Sequence, residues 1–427
     1  MQTIISKGIY HGLPTYPDDP TGLTAIVCGA NGISGDHMVC CPLAHSLRVL
    51  CESPKRWTKI FALSRRPPNK QWPSQIEHAS MDFLHPPSEL AAQMNEKNIK
   101  ADHVFFFAYI QPTPKDGGSI WSFHEELVKL NTQLLQNFLT ALTLTPSLPQ
   151  TILLQQGVKY YGLHLGPTTV PQEETDPRIP FEPNFYYPQE DALKFFAQEH
   201  NISWIITRPS GILGAVPDAA MNICIPLAIY ASVQKHLAKP LEFPADLAAW
   251  ETSKDLPSAQ MNGYLAEWAV LSENMNQSFN ATDDCAFTWG KFWPRLAERF
   301  GVDWKGPDEG LDEGYTEMDM PCNPPPRGFG PPGKLRWKFK FSEWVQKKEV
   351  RDAWREIAGL YGLRQRELWD TDRIFGFVDA VIVWSYPMQL STRRRKKLGF
   401  FGFVDSMESM FRVFDEFVDL KVIPPSG

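Results

Sequence analysis

The sequence predicts an α/β fold, a doubly wound parallel sheet continued by a mostly helical C-terminal part. Three observations carry that prediction. The apolar run Ala25-Ile-Val-Cys28 breaks into glycines at three-residue spacing, Gly29, Gly32 and Gly35. Strand-like and helix-like segments then alternate as far as about residue 215, the pattern of parallel strands joined by right-handed crossovers. Beyond that point the alternation fades and helical stretches take over.

Residues 1–23 are polar and proline-bearing and predict a loose N-terminal arm. Ala25–Cys28 predicts the first buried strand, and a helix is expected from His37 to about Leu50. Gly29 allows the tight turn between them, Gly32 lets backbone approach a pyrophosphate, and Gly35 lets the helix pack close to the strand. The loop Gly29-Ala-Asn31-Gly32-Ile33-Ser-Gly35 thus predicts a Rossmann-type dinucleotide site, the pyrophosphate resting on the helix N-terminus. Lys59–Leu63 predicts the second strand, and Ser64, Arg65 and Arg66 follow it directly. An acid here holds the ribose 2′-hydroxyl of NAD, whereas arginine accommodates the 2′-phosphate of NADP. Two arginines and no acid therefore predict NADPH, the alternative being a solvated basic pair. The third strand signal, Glu77 to Asp82, is weak; Asp82 falls either where the adenine amino group is bonded or in an exposed turn. His103–Ala108 is a continuous apolar run, which suits a parallel strand buried on both faces. Leu127–Leu142 has helical apolar spacing, and Thr151–Leu154 and Trp204–Thr207 predict strands five and six.

Residues 216–275 read as mainly helical, with a return strand near 276–283 and a helix over Phe287–Phe300. Residues 321–333 are a proline- and glycine-rich loop, followed by helical stretches around Ser342–Tyr361 and Asp405–Asp419. The expected parts are an arm (1–23), a nucleotide-binding domain (24–215) and a helical substrate-binding or lid region (216–427).

With 427 residues, 43% of them apolar, the chain has ample material for a core, and a net charge of −7 gives no sign of a nucleic-acid partner. Seven cysteines without zinc-type spacing suit a reducing, cytoplasmic setting. The N-terminus lacks the apolar core of a signal peptide, no apolar run is long enough to span a membrane, and the sequons at Asn201, Asn276 and Asn280 are then incidental. The basic run Arg393–Lys397 reads as a solvated segment rather than a membrane anchor.

Ordinary short-chain dehydrogenases carry a tyrosine with lysine four residues later, and none of the 12 tyrosines here has one. Two other segments stand out: Leu154-Gln-Gln-Gly157-Val-Lys159-Tyr-Tyr161-Gly162, at the carboxyl end of strand five, and Pro183-Asn184-Phe-Tyr186-Tyr187-Pro-Gln-Glu-Asp-Ala-Leu193, opening a helix before strand six. Ligands in open α/β sheets bind outside the carboxyl ends of the strands, which puts Lys159 where reaction chemistry would occur. Taken by position alone, it is equally a surface lysine, and the tyrosines are core aromatics.

Together with Gly29–Gly35, Ser64–Arg66 and Arg208-Pro209-Ser-Gly-Ile212-Leu-Gly214, these segments resemble the progesterone 5β-reductase/iridoid synthase-like (PRISE-type) group of extended short-chain dehydrogenases. The resemblance runs from about residue 24 to the C-terminus. It implies catalysis by Lys159 and Tyr186, with Tyr187 the other candidate, and places Arg208, Pro209 and Ile212 beside the nicotinamide. It also implies NADPH as cofactor, a homodimer, and 1,4-reduction of enones or enals. Tyr186 would bond the developing enolate oxygen, Lys159 would supply positive charge, and the α-carbon proton would come from solvent or Tyr186. The same parts would serve a ketone reductase, a redox-neutral cyclase or isomerase, or a non-catalytic NADP sensor; the retained Lys159 and Tyr186 argue against the last. The chain departs from the group in Asp36, an acid near the pyrophosphate helix, and in Pro188, where the group has an acid. It also has a longer C-terminal half, in which residues 306–333 and 374–390 are expected to shape a lid or a pocket for a bulky, apolar substrate.

Overall fold

The structure, a computed structural model, describes residues 4–16, 20–39, 48–68, 72–112, 124–217, 221–308 and 314–426. Strands β1 (Ile4–Lys7) and β2 (Tyr10–Pro14) form an antiparallel hairpin. The N-terminus is therefore not a loose arm. Tyr10 and Leu13 are buried, and His11 exchanges backbone hydrogen bonds with Phe403, so a locally polar stretch is held by distant partners.

The central sheet contains β3 (Leu23–Cys28), β4 (Trp57–Ser64), β5 (Ile76–Ser80), β6 (His103–Phe106), β7 (Thr151–Gln155) and β8 (Ser203–Pro209). The short β9 (Leu241–Glu242) lies outside it, and β10 (Gln277–Ala281) completes it as the return strand. All seven strands are parallel, in the order β10-β8-β7-β6-β3-β4-β5. The chain moves outward from β3 in one direction and from β6 in the other. The carboxyl ends of these two strands thus flank a topological switch point, where open α/β sheets bind ligands.

Successive residues of β3 face opposite sides of the sheet. Ala25 and Val27 join a core with α1 (Ile33–Met38) and α7 (Ala259–Leu271), which packs on β7 and β8. Ile26 and Cys28 join a core with α2 (Pro87–Glu96), α3 (His124–Thr143) and α4 (Tyr186–His200). Burial on both faces is why these strands read as unbroken apolar runs. From Ala259 to Val270, α7 is buried all round, as its nearly uniform apolar sequence requires.

The C-terminal part is built around α5 (Cys224–His236), which packs against α8 (Trp289–Phe300), α10 (Lys348–Tyr361), α11 (Thr371–Ile382) and α13 (Ser406–Asp419). Shorter elements join them: α6 (Leu247–Glu251), α9 (Phe341–Trp344), α12 (Arg393–Lys397), β11 (Trp304–Lys305) beside β9, and the hairpin β12 (Thr316–Asp319)–β13 (Lys334–Trp337). In α8 the side chains of Trp289, Phe292, Trp293, Leu296 and Phe300 are buried, at the spacing that marks one helical face.

Three expectations change. The first crossover helix starts at Ile33 rather than His37, and its cap Val39 is already extended; the expected helix over 37–50 otherwise falls partly on residues 40–47, outside the described residues, and ends in a 3-10 turn over Val49–Glu52. The stretch 342–361 is two helices, α9 and α10. The basic run is not a solvated segment: in α12, Arg395 is fully buried and donates to the carbonyls of Thr282 (2.9 Å) and Gly402 (3.4 Å), while Arg394 donates to Ser278 (3.2 Å). It staples the C-terminal region to β10.

Candidate active site

The glycine turn lies at the carboxyl end of β3. Gly29 has φ +82° and a Cβ there would stand 2.9 Å from the Ala108 nitrogen. A Cβ on Gly35 would stand 2.3 Å from the Gly29 carbonyl oxygen. Both glycines are demanded by backbone packing. Gly32 is different: it is exposed, and the nearest atom to an added Cβ is the Gly29 oxygen at 3.4 Å. Its bare face leaves the turn open to a ligand. Gly35→Ala is expected to destabilise the protein by about 1–3 kcal/mol, the usual cost of overpacking; urea unfolding checks this effect.

Around the turn, Asn31 Nδ2 and the Ser64 hydroxyl both donate to the Arg66 carbonyl at 2.8 Å, and Ser64 also meets His78 Nε2 at 2.9 Å. The backbone of Arg66 is thereby pinned, while both guanidinium groups of Arg65 and Arg66 are exposed and meet no carboxylate among the described residues. Asp36 is buried, its carboxylate 3.7 Å from Arg48 Nε, so its charge is met inside the protein. Asp82 follows β5 directly, half-buried, and accepts from the Leu84 N–H at 3.1 Å. The loop after β8 closes the crevice: Gly214 lies against Ile33 and His37, Gly211 faces Leu256 and Phe377, and Ile212 is half-buried between them.

Lys159 sits in a 3-10 turn, Val158–Tyr161, immediately beyond β7, and Tyr186 is the first residue of α4. Asn184 joins the two segments. Its Nδ2 donates to the Lys159 carbonyl at 2.9 Å and its Oδ1 accepts from the Tyr186 N–H at 3.0 Å. Gln156 adds a second tie, donating to the Tyr186 carbonyl at 2.7 Å. The Tyr186 hydroxyl overhangs Gly157: a Cβ there would lie 2.7 Å from it and 3.3 Å from the Pro209 carbonyl oxygen. Any side chain at 157 would displace the hydroxyl. No hydrogen bond to that hydroxyl comes from the described residues, and burial pushes its pKa well up, so it is a protonated donor. Tyr187 stands in contrast. Its hydroxyl donates to the Tyr160 carbonyl at 2.8 Å and accepts the Ile179 N–H at 2.9 Å. The Lys159 ammonium is pulled down to about 8 by burial, against the opposing pull of Glu182.

Arg208 does not stand in the crevice. It is fully buried and stacks 3.4 Å over the Tyr160 ring. Its three nitrogens reach Gln156 Oε1 (3.3 Å), the Glu174 carbonyl (3.2 Å) and Glu190 Oε2 (3.2 Å). It supports Gln156, and through it Tyr186, from beneath. Neither Asn184 nor Gln156 was singled out in sequence, although both lie in or beside the two conspicuous segments. The loop between β12 and β13 folds over the region beyond Lys159, where the Arg327 N–H meets the Pro167 carbonyl at 3.1 Å and Pro325 and Pro326 pack on Gly166.

Among the described residues no cluster of His, Cys, Asp or Glu is arranged to hold a metal, and no helix is long and apolar enough to cross a membrane. A 3-oxo-Δ(4,5)-steroid 5-β-reductase of Arabidopsis thaliana is 28% identical over 412 residues, covering 94% of this chain and 93% of its own length. A (S)-8-oxocitronellyl enol synthase of Catharanthus roseus is 27% identical over 408 residues, covering 94% and 92%. The short chain dehydrogenase gsfE of Penicillium aethiopicum is 28% identical over 410 residues, covering 94% and 99%. Among solved structures, the enzyme WbmG of Bordetella bronchiseptica in complex with NAD shares the fold, with a TM-score of 0.55 at 12% identity over 96% of this chain and 98% of its own. The PRISE-like Rossmann-fold domain matches residues 25–318, a span that holds the glycine turn and the Lys159 and Tyr186 segments, and the chain belongs to that family.

Proposed function

We propose that this chain is an NADPH-dependent reductase of activated C=C bonds, acting on bulky, apolar enones or enals. One observation carries the reading. The Tyr186 hydroxyl is unbonded among the described residues and overhangs Gly157 at the carboxyl edge of the sheet, whereas the neighbouring Tyr187 hydroxyl is committed to backbone. The turn suits the cofactor: Gly32 leaves room for a pyrophosphate, and Arg65 and Arg66 offer two cations for a 2′-phosphate.

When bound, NADPH supplies a hydride to the substrate β-carbon. Tyr186 donates a hydrogen bond to the substrate carbonyl oxygen, where negative charge develops as the enolate. Lys159 contributes positive charge nearby. Donors fixed before charge appears favour the transition state over the ground state, and burial strengthens them. Asn184 and Gln156 keep the two segments in register. The α-carbon then takes its proton from Tyr186 or solvent. Similarity to proteins named steroid 5-β-reductase and enol synthase supports this class of substrate.

NADPH oxidation measured across small enals and bulky enones, with identification of the saturated carbonyl product, tests the reading. Tight NADPH binding without oxidation, together with product formed when NADPH is omitted, would instead favour redox-neutral polarisation of a carbonyl by the same two residues. The double variant R65A/R66A is expected to raise KM for NADPH by about a hundredfold or more, since each lost charge-assisted bond is worth roughly 1.5–3 kcal/mol. KM for NADH should barely change; equal effects on both cofactors would remove the two arginines from the 2′-phosphate site.

A further inference from the structure

Lys159 borders a polar cluster that the chemistry above does not use. Glu182, on the loop ahead of α4, presents both carboxylate oxygens to imidazoles. Oε1 meets His164 Nε2, and Oε2 meets His124 Nε2 at 3.2 Å. His164 lies on the 3-10 turn that follows the one carrying Lys159, and His124 opens α3. Cys322, from the loop between β12 and β13, lies within electrostatic reach of Glu182, and Lys159 within reach of both Glu182 and His164.

The protonation states follow from the contacts. His164 Nδ1 is buried without a hydrogen-bond partner among the described residues, so a proton there would be buried and unsatisfied. Burial lowers the pKa of His164, and the charge of Lys159 lowers it further, although the bond to Glu182 opposes both. The ring is therefore neutral, with its one proton on Nε2 donated to Glu182. Burial alone would raise the pKa of Glu182. The bond donated by His164 and the positive charge of Lys159 act against it, and the carboxyl is held below its ordinary value. The cluster thus keeps an ionised carboxylate beside a buried ammonium.

We propose that Glu182 is a positioning residue that keeps Lys159 protonated in the site, with His164 and His124 orienting its carboxylate. The proposal rests on the reading of Lys159 as the cationic partner of Tyr186. Removing the carboxylate takes away a negative charge that offsets the burial of the ammonium, and Lys159 then sheds its proton more readily. The developing enolate loses positive charge while the neutral ground-state enone does not, so turnover falls and affinity persists.

The test uses the full chain. Trace acetylation across pH, read by mass spectrometry of the Lys159 peptide, gives the lysine midpoint without substrate or cofactor. Glu182→Gln is expected to lower that midpoint by about one unit or more, within the range for a neighbouring opposite charge. The alkaline limb of kcat should move down with it, and kcat should fall about twofold near pH 7 and about tenfold near pH 9, with KM for the enone little changed. Coupling is reciprocal, so Lys159→Met is expected to raise the Glu182 carboxyl midpoint, followed by carboxyl NMR. A folded Glu182→Gln protein with an unmoved Lys159 midpoint overturns the proposal. If that variant does not fold, an unmoved Glu182 midpoint in Lys159→Met overturns it instead. A shifted Lys159 midpoint in a protein that reduces no enone supports the coupling and defeats the reductase reading.

Discussion

Tyr186→Phe is expected to lower turnover about a hundredfold to a thousandfold, the usual loss when one donor to a developing oxyanion is removed. The ring, its packing on Phe185 and the backbone ties to Asn184 and Gln156 all persist. Only the hydroxyl over Gly157 goes. NADPH affinity should therefore change by less than about twofold, and the loss should fall on kcat and kcat/KM alike, the mark of an interaction made only in the transition state. Tyr187→Phe makes the opposite prediction. Its hydroxyl bonds two backbone groups, so its loss leaves a buried N–H and carbonyl short of partners at a cost of about 1–3 kcal/mol, with turnover reduced only a few-fold. Steady-state kinetics and urea unfolding on both variants separate the two tyrosines. A Tyr187→Phe protein that loses turnover while Tyr186→Phe keeps it would reverse the assignment.

The parts of this site that a reader of the sequence can see are those in which local chemistry dictates residue type. Gly29 and Gly35 are glycines because backbone atoms stand less than 3 Å from any added Cβ, and such steric demands leave a spacing in the chain. Arg65 and Arg66 are visible because they follow a strand end at a fixed place in a parallel sheet. The choice between Tyr186 and Tyr187 is not visible, since it depends on where Gly157, Ile179 and the Tyr160 carbonyl lie in space. Arg208 misleads for the same reason. The family resemblance sets it beside the nicotinamide, yet Glu190 and Gln156, distant in sequence, draw the guanidinium inside. The N-terminal hairpin is likewise hidden, because its strands pair with each other and it is docked through His11 on the distant Phe403.

Arg395 is the sharpest case of such long-range dependence, and Arg395→Met is expected to produce the largest stability loss. A run of five basic residues usually lies in solvent, but here the third is enclosed by the end of β10. Its donors meet the Thr282 and Gly402 carbonyls, and the carboxyls of Asp255, Asp283 and Asp284 bear on its charge. Burial raises the pKa of Asp255 to about 7, against the opposing bond from Thr282 and the charge of Arg395, and burial raises that of Asp283 as well. In the wild type, the folded state therefore binds a proton at Asp255 more tightly than the unfolded chain does. Its stability falls as pH rises from the unfolded value of 3.8 through about 7. Methionine fills much of the arginine volume but removes the charge that limits this loss, so both aspartates move further up. Near pH 5 Asp255 and Asp283 are neutral, and the variant loses chiefly its bonds to two carbonyls, about 1–3 kcal/mol. Near pH 8 Asp255 is ionised in the wild type but keeps its proton in the variant, and the deficit should grow by about 1.4 kcal/mol for each pH unit above 7. Urea midpoints of wild type and Arg395→Met at the two pH values measure this growth. A deficit that stays constant with pH would mean that Arg395 acts through its two carbonyl bonds alone, and that the buried aspartates do not depend on its charge.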